Sequence, residues 1–315
     1  MKTNYFPPSI SIPGLDTITF IDLRLNFAFN HIFGTRGNED LLLKLVNAIL
    51  PDLNIQSVSL SSQSQSGWRR DARSAVFDVN CIASDGHQII IEMQYKHQDD
   101  FNDRMLFYST FPIQNSLNIG EGTYRFKPTI VVGITDFILS EIKPNDRIIN
   151  YYSTTNDADS EIHLSDNLHH VTVELPKLKK TISELSTPAE LLFYAIRNIG
   201  TMDRMPEKYI GSGLEKLFEI CKFAAMDEMT QAEYIHAFMA ELDLRSQKRT
   251  AYNEGKEEGY AEGKAEGKAE GKAEGRSEGE EQKALEIASS LKQQDIPPAV
   301  ISKATGLSPE QIAAL

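Results

Sequence analysis

The chain has 315 residues, 41% of them hydrophobic and 24% charged, which suits a sizeable core and leaves room for one large domain with appendages or for two. No apolar run approaches the roughly 20 residues of a membrane span, and Met1-Lys2-Thr3-Asn4 leads into prolines rather than an export signal, so the expectation is a cytoplasmic protein with no membrane contact. A net charge of −13 argues against a general polyanion binder and confines any nucleic-acid contact to a local basic groove. Two distant cysteines, Cys81 and Cys221, match no metal-ligand spacing and fit a reducing interior.

In chain order, residues 1–16 are rich in Pro, Ser and Ile and read as an extended lead-in. From Asp22 to Leu50 the pattern is helical, broken at Gly34; Asn38 is placed to cap a second helix, with Glu39 and Asp40 in its first turn and Pro51 ending it. The segment from Leu41 to Leu50 is apolar on nearly every side, as a helix buried against a sheet would be. A Ser- and Gln-rich stretch (Ser57 to Ser66) precedes two strand-like runs, Ala75–Ala83 and Gln88–Gln94. A helix is expected over Phe101–Asn118, a turn at Gly120–Gly122, a buried strand over Pro128–Ile134 and another at His170–Leu175, closed by Pro176. Helix, strands, helix, strand is the order of an α/β core with a mixed central sheet flanked by helices. Residues 181–250 read as a helical extension, 251–282 as a Glu-Gly-Lys-Ala repeat and 283–315 as a small helical, helix-turn-helix-like tail, which leaves 17–180 as the core domain.

The chemistry concentrates on the hairpin between the two strand-like runs. Ser84-Asp85-Gly86 is a three-residue loop with glycine where a left-handed residue is wanted. That loop pairs Phe77 with Met93, Val79 with Ile91 and Cys81 with Ile89 on an apolar face, and sets Asp78 opposite Glu92 on the other. Adjacent carboxylates repel one another unless a cation lies between them, and a hard divalent ion with oxygen ligands is the natural occupant. Such an ion activates water and offsets charge on a phosphate under attack. Gln94, two residues after Glu92, shares the face and is placed to orient the water or hold the phosphate. Arg69, Arg70 and Arg73 before the first strand, and Lys96, His97 and Arg104 after the second, are candidates for gripping phosphates that flank the scissile one. The plainer alternative is a solvated acidic face edged by surface ion pairs.

These residues fall in a recognisable pattern. Ile21 to Gly34, Arg73-Ser74-Ala75-Val76-Phe77-Asp78-Val79, Ile91-Glu92-Met93-Gln94, Phe101-Asn102-Asp103-Arg104 with Tyr108, Lys127-Pro128, Asp136-Phe137 and Val173-Glu174-Leu175-Pro176 follow one another in family order. Together they resemble the Rpn-type recombination-promoting nucleases, a PD-(D/E)XK family also labelled transposases, from about residue 18 to the repeats. The resemblance implies a restriction-endonuclease-like fold and Mg²⁺- or Mn²⁺-dependent DNA cleavage. It makes Asp78 and Glu92 the metal-binding acids, and Asp78, Glu92 and Gln94 the catalytic set. Gln94 stands where the wider superfamily has Lys. The opening motif carries Asp and Lys where this chain has Asn26 and Asn30, so Asp22, Asn26 and Tyr108 enter as accessory candidates.

From Gly255 to Gly279 every fourth residue is glycine. In a helix this period leaves a glycine stripe flanked by a Glu stripe and a Lys stripe. Like charges at i,i+4 and interior glycines, each costing about 1 kcal/mol relative to Ala, make such a helix poor on its own. Two copies in parallel would set Glu against Lys, with right-handed winding because the period exceeds 3.6; a solvated linker is the equal alternative. In the tail, Ser308-Pro309-Glu310-Gln311 is a helix start, and the last helix carries no cation, so docking onto another chain is favoured over DNA reading. The expected function is a DNA endonuclease in recombination or mobile-element biology, self-associating through the repeat and tail; the alternative is a catalytically impaired DNA-binding or interaction protein on the same fold.

Overall fold

The computed structural model describes residues 18–65, 74–117, 124–139 and 145–315. The lead-in, the Gly120–Gly122 turn and the arginines 69, 70 and 73 lie outside the described residues.

The first two helices among the described residues are α1 (Asn26–Phe33) and α2 (Glu39–Ile49), separated at Gly34. Asn38 occupies the cap position of α2, but its side chain donates back to the Ile32 carbonyl (3.0 Å) and caps nothing. The strands follow: β1 (Val58–Leu60), β2 (Ser64–Gln65), β3 (Ala75–Val76), β4 (Val79–Ala83) and β5 (Gln88–Gln94). Then come α3 (Phe101–Asn115), β6 (Thr129–Thr135), β7 (Ile149–Thr155) and β8 (His163–Glu174). Six strands form one mixed sheet in the order β1-β4-β5-β6-β8-β7, while β2 and β3 pair separately. β4 and β5 are antiparallel; β5, β6 and β8 are parallel neighbours, and α3 is the crossover that a parallel β5–β6 connection requires.

The sheet is covered on both faces. Val79, Cys81, Ile89, Ile91, Met93, Ile130, Val132, Ile134, Val171 and Val173 face the main core, with the buried sides of α1, α2 and α4 (Pro188–Asn198). Ile90 and Val131 face α3, whose Phe101, Met105 and Phe111 complete a second, smaller core. Gly133 makes that approach possible: a Cβ there would lie 2.6 Å from Phe101 Cζ and 2.8 Å from Met105 Sδ.

Contacts divide the chain into two compact units, residues 1–239 and 240–315. The first includes α5 (Glu215–Ile220) and the start of α6 (Glu228–Gln293), where Tyr234 is buried. In the second, α6 continues without a break through every repeat glycine. Residues 242–278 are all exposed, and the glycines from 255 to 279 have open space where a Cβ would stand. The unit closes with α7 (Pro298–Thr305) and α8 (Pro309–Ala314), which bury Ile301, Leu307 and Ile312 with Ala288 of α6. Ser308 and Gln311 form a reciprocal capping box at α8. No helix among the described residues is long and apolar enough to cross a membrane.

Candidate active site

The hairpin has the register expected from its three-residue loop: Val79 faces Ile91, Asn80 faces Ile90 and Cys81 faces Ile89. Ala83 and His87 close the loop, and Gly86 adopts φ +93°. One expectation fails. Phe77 does not join Val79 and Cys81 on the main-core face; it packs on the opposite side, with Tyr108 at 5.1 Å and Phe111 at 6.0 Å between ring centroids. The strand is interrupted between Val76 and Val79. Phe77 N–H donates to the Gln63 carbonyl (2.9 Å), and Asp78 N–H donates to the Glu92 side chain (3.1 Å), so the ladder with β5 ends at Val79 and the chain pivots.

The pivot is pinned from outside. The Asp78 carbonyl accepts from Asn30 Nδ2 (3.0 Å) and Gln63 Nε2 (3.1 Å). Asn30 therefore acts on the site through the Asp78 backbone, whereas Asn26, one turn earlier, is exposed. Asp22 does not reach the acid pair. Both of its oxygens are taken by Arg24, which also bonds Asp136 (2.9 Å) and lies 4.5 Å over the Tyr95 ring. Arg197 closes this network on Asp136 (2.8 Å), and Asp136 N–H donates to the Gln94 carbonyl (3.1 Å).

Asp78 and Glu92 are both buried, at 9% and 4% exposure. Each uses one carboxylate oxygen in a backbone hydrogen bond: Glu92 Oε1 accepts from Asp78 N–H, and Asp78 Oδ2 accepts from Met93 N–H (2.8 Å). Burial pushes the Asp78 carboxyl up to about 7, against the pull of the Met93 N–H and the Arg104 charge. Glu92 is pushed well above the usual carboxylate range by burial and then by the Asp78 charge. Two carboxyls so desolvated take up protons unless a cation neutralises them. Among the described residues the second oxygen of each acid takes no hydrogen bond, and the donor set suits a hard divalent ion. Among the described residues no group of three or more His, Cys, Asp or Glu side chains is placed to hold a metal, so water and phosphate oxygens would fill the remaining positions.

Gln94 is buried, and both ends of its side chain are engaged: Nε2 donates to the Lys96 carbonyl (3.1 Å) and Oε1 accepts from Arg104 Nη2. It holds a neighbouring cation in place of the water or phosphate expected from its position. Arg104 comes from α3, and its charge reaches both acids. Tyr108, one turn on, stacks edge-on against Phe77 and lies 5.8 Å from the Arg104 guanidinium. His97 packs against Phe137 and faces Asp99 at 3.3 Å, away from the acids' hydrogen bonds. Sequence reasoning missed the tie of Arg24 and Arg197 to Asp136; Asp136 stood in the motif order, but no local pattern links it to residues 112 and 61 positions away.

A mixed sheet, a crossover helix pressed on a glycine, and a buried acid pair beside an engaged Gln define an α/β core of the restriction-endonuclease-like class. A profile of the PD-(D/E)XK nuclease family transposases matches residues 23–251, well over half of the chain, and the chain belongs to that family. No curated protein and no solved structure matches it. Membership carries a nuclease- or transposase-related function, DNA as the class of substrate, and a general use of divalent metal.

Proposed function

We propose that the protein is a metal-dependent DNA endonuclease that hydrolyses phosphodiester bonds in the cytoplasm, in recombination or the biology of mobile elements. The observation that carries this reading is the buried pair Asp78–Glu92, crossed by backbone hydrogen bonds that aim both carboxylates into one place. Asp78 and Glu92 would hold Mg²⁺ or Mn²⁺, and the bound ion supplies an activated water and charge to offset the phosphate. The chain's own residues do the rest. Asn30 and Gln63 fix the Asp78 backbone, the Met93 N–H fixes its carboxylate, and Gln94 fixes Arg104. Lys96, whose carbonyl accepts from Gln94, is read as a contact to the DNA backbone.

Nicking of supercoiled plasmid tests the reading. Cleavage should require Mg²⁺ or Mn²⁺ and vanish in Asp78→Ala and Glu92→Ala. Protein that binds DNA yet leaves it intact with either ion would be the catalytically impaired binder instead. The repeat part of α6 is read as a parallel self-association face, because its bare glycine stripe is flanked by opposite charges and its residues 242–278 are all exposed.

A further inference from the structure

We infer that Arg104 contacts the scissile phosphate beside the acid pair, and that Gln94 and Gln98 are the residues that aim it; this rests on the nuclease reading above. Arg104 Nη2 donates to Gln94 Oε1 and Nη1 to Gln98 Oε1 (2.9 Å), while its guanidinium lies 5.3 Å from the Phe101 ring centroid and 5.8 Å from that of Tyr108. Both hydrogen-bond partners are neutral. Among the described residues Arg104 forms no ion pair, and its Nε–H is buried with no acceptor. A guanidinium this confined is ordinarily matched to a carboxylate. Here its charge acts on Asp78 and Glu92 without bonding to either. A cation held next to two acids, uncancelled and with an unsatisfied donor, is a socket for an anion arriving between them.

The phosphodiester supplies that anion. In hydrolysis a water oxygen bonds to phosphorus, one P–O ester bond breaks, one water proton goes to solvent and the leaving alkoxide takes up a proton, so no other reactant is needed. Negative charge on the non-bridging oxygens peaks midway, where a fixed N–H donor contributes most. Gln94 carries no charge, so α3 supplies the cation on this side of the acids, and Gln94 is a positioning residue. A distant phosphate grip would affect affinity; a contact at the scissile group affects rate.

The full chain is assayed on supercoiled plasmid with Mn²⁺, protein in excess, and its affinity for the same DNA is measured in EDTA. Arg104→Ala should lose about 100-fold or more in cleavage rate, while affinity changes by less than about threefold. Free guanidinium ion should raise the rate of Arg104→Ala and leave Asp78→Asn inactive. Gln94→Glu, which keeps the hydrogen bond but neutralises the guanidinium, should slow cleavage in the same way and answers the question if Arg104→Ala fails to fold. A rate loss no larger than the affinity loss, or equal stimulation of Asp78→Asn by guanidinium, overturns the inference while leaving the nuclease reading intact. A wild type that does not cut overturns both.

Discussion

Asp78 and Glu92 hold each other through the backbone: the N–H of Asp78 donates to the Glu92 carboxylate at 3.1 Å, and the Asp78 carboxylate accepts the N–H of Met93, the next residue after Glu92, at 2.8 Å. Each acid is thus oriented by the other's strand, and the two are held side by side where burial disfavours their charge. Function and stability are opposed here. Asp78→Asn and Glu92→Gln should abolish cleavage, yet in EDTA at pH 8 each should unfold at a denaturant concentration equal to or above that of the wild type, because a buried charge is removed. Loss of activity accompanied by a large loss of stability would show that the acids are structural.

The raised carboxyls predict an unusual pH dependence for the metal-free protein. An unfolded Asp titrates near 3.9, whereas folded Asp78 titrates at about 7. Between those values the native state binds more protons than the unfolded state, so stability falls as pH rises from about 4 to about 7, by on the order of a few kcal/mol. Glu92 is shifted in the same direction. Urea unfolding in EDTA from pH 4.5 to 8 should show this decline, with a flatter profile in Asp78→Asn. Millimolar Mn²⁺ should restore stability at pH 8 in the wild type and not in the variant. A wild-type stability that rises over this range would contradict the burial of the pair.

Gly133 tests whether α3 must sit close for the site to work. Its missing Cβ is the space that the Phe101 ring and Met105 sulfur occupy, and it lies on the strand next to Glu92, in register with it. Gly133→Ala should destabilise the protein by about 1–3 kcal/mol through overpacking. It should also reduce cleavage by more than the lost folded fraction, because α3 carries Arg104. Unchanged activity per folded molecule would mean that the position of α3 is immaterial.

The hairpin was legible because its register depends on a short loop and a period of two, both local. Phe77 was not. Parity along an unbroken strand sends it to the main core, and only the capture of its N–H by Gln63, fourteen residues back, reveals the pivot that turns Asp78 toward Glu92. β1 and β7 escaped notice for different reasons, though both are edge strands. Val58-Ser59-Leu60 alternates but is only three residues long and sits in a Ser-rich stretch, whereas Ile149–Thr155 is mostly Asn, Tyr, Ser and Thr and carries no alternating apolar signal. The partner of Gln94 was hidden too, since the sequence placed Arg104 near the site without showing which side chain would receive it.

The repeat poses the sharpest energetic question. Seven glycines from Gly255 to Gly279 lie inside one continuous helix, and a Cβ added at any of them would meet open space among the described residues. At about 1 kcal/mol each relative to Ala, they weigh heavily on a helix whose exposed residues 242–278 make no tertiary packing to offset them. A second copy in parallel would cover the glycine stripe and set each Glu stripe against a Lys stripe, whereas an antiparallel copy would set like against like. The full chain should therefore run as an oligomer by light scattering, and deletion of residues 254–280 should reduce it to the monomer mass. Replacing Lys264, Lys268 and Lys272 with Glu should dissociate it too, and 1 M NaCl should weaken it through screening. A deletion variant that keeps the oligomeric mass would assign the repeat to a linker and association to another part of the chain.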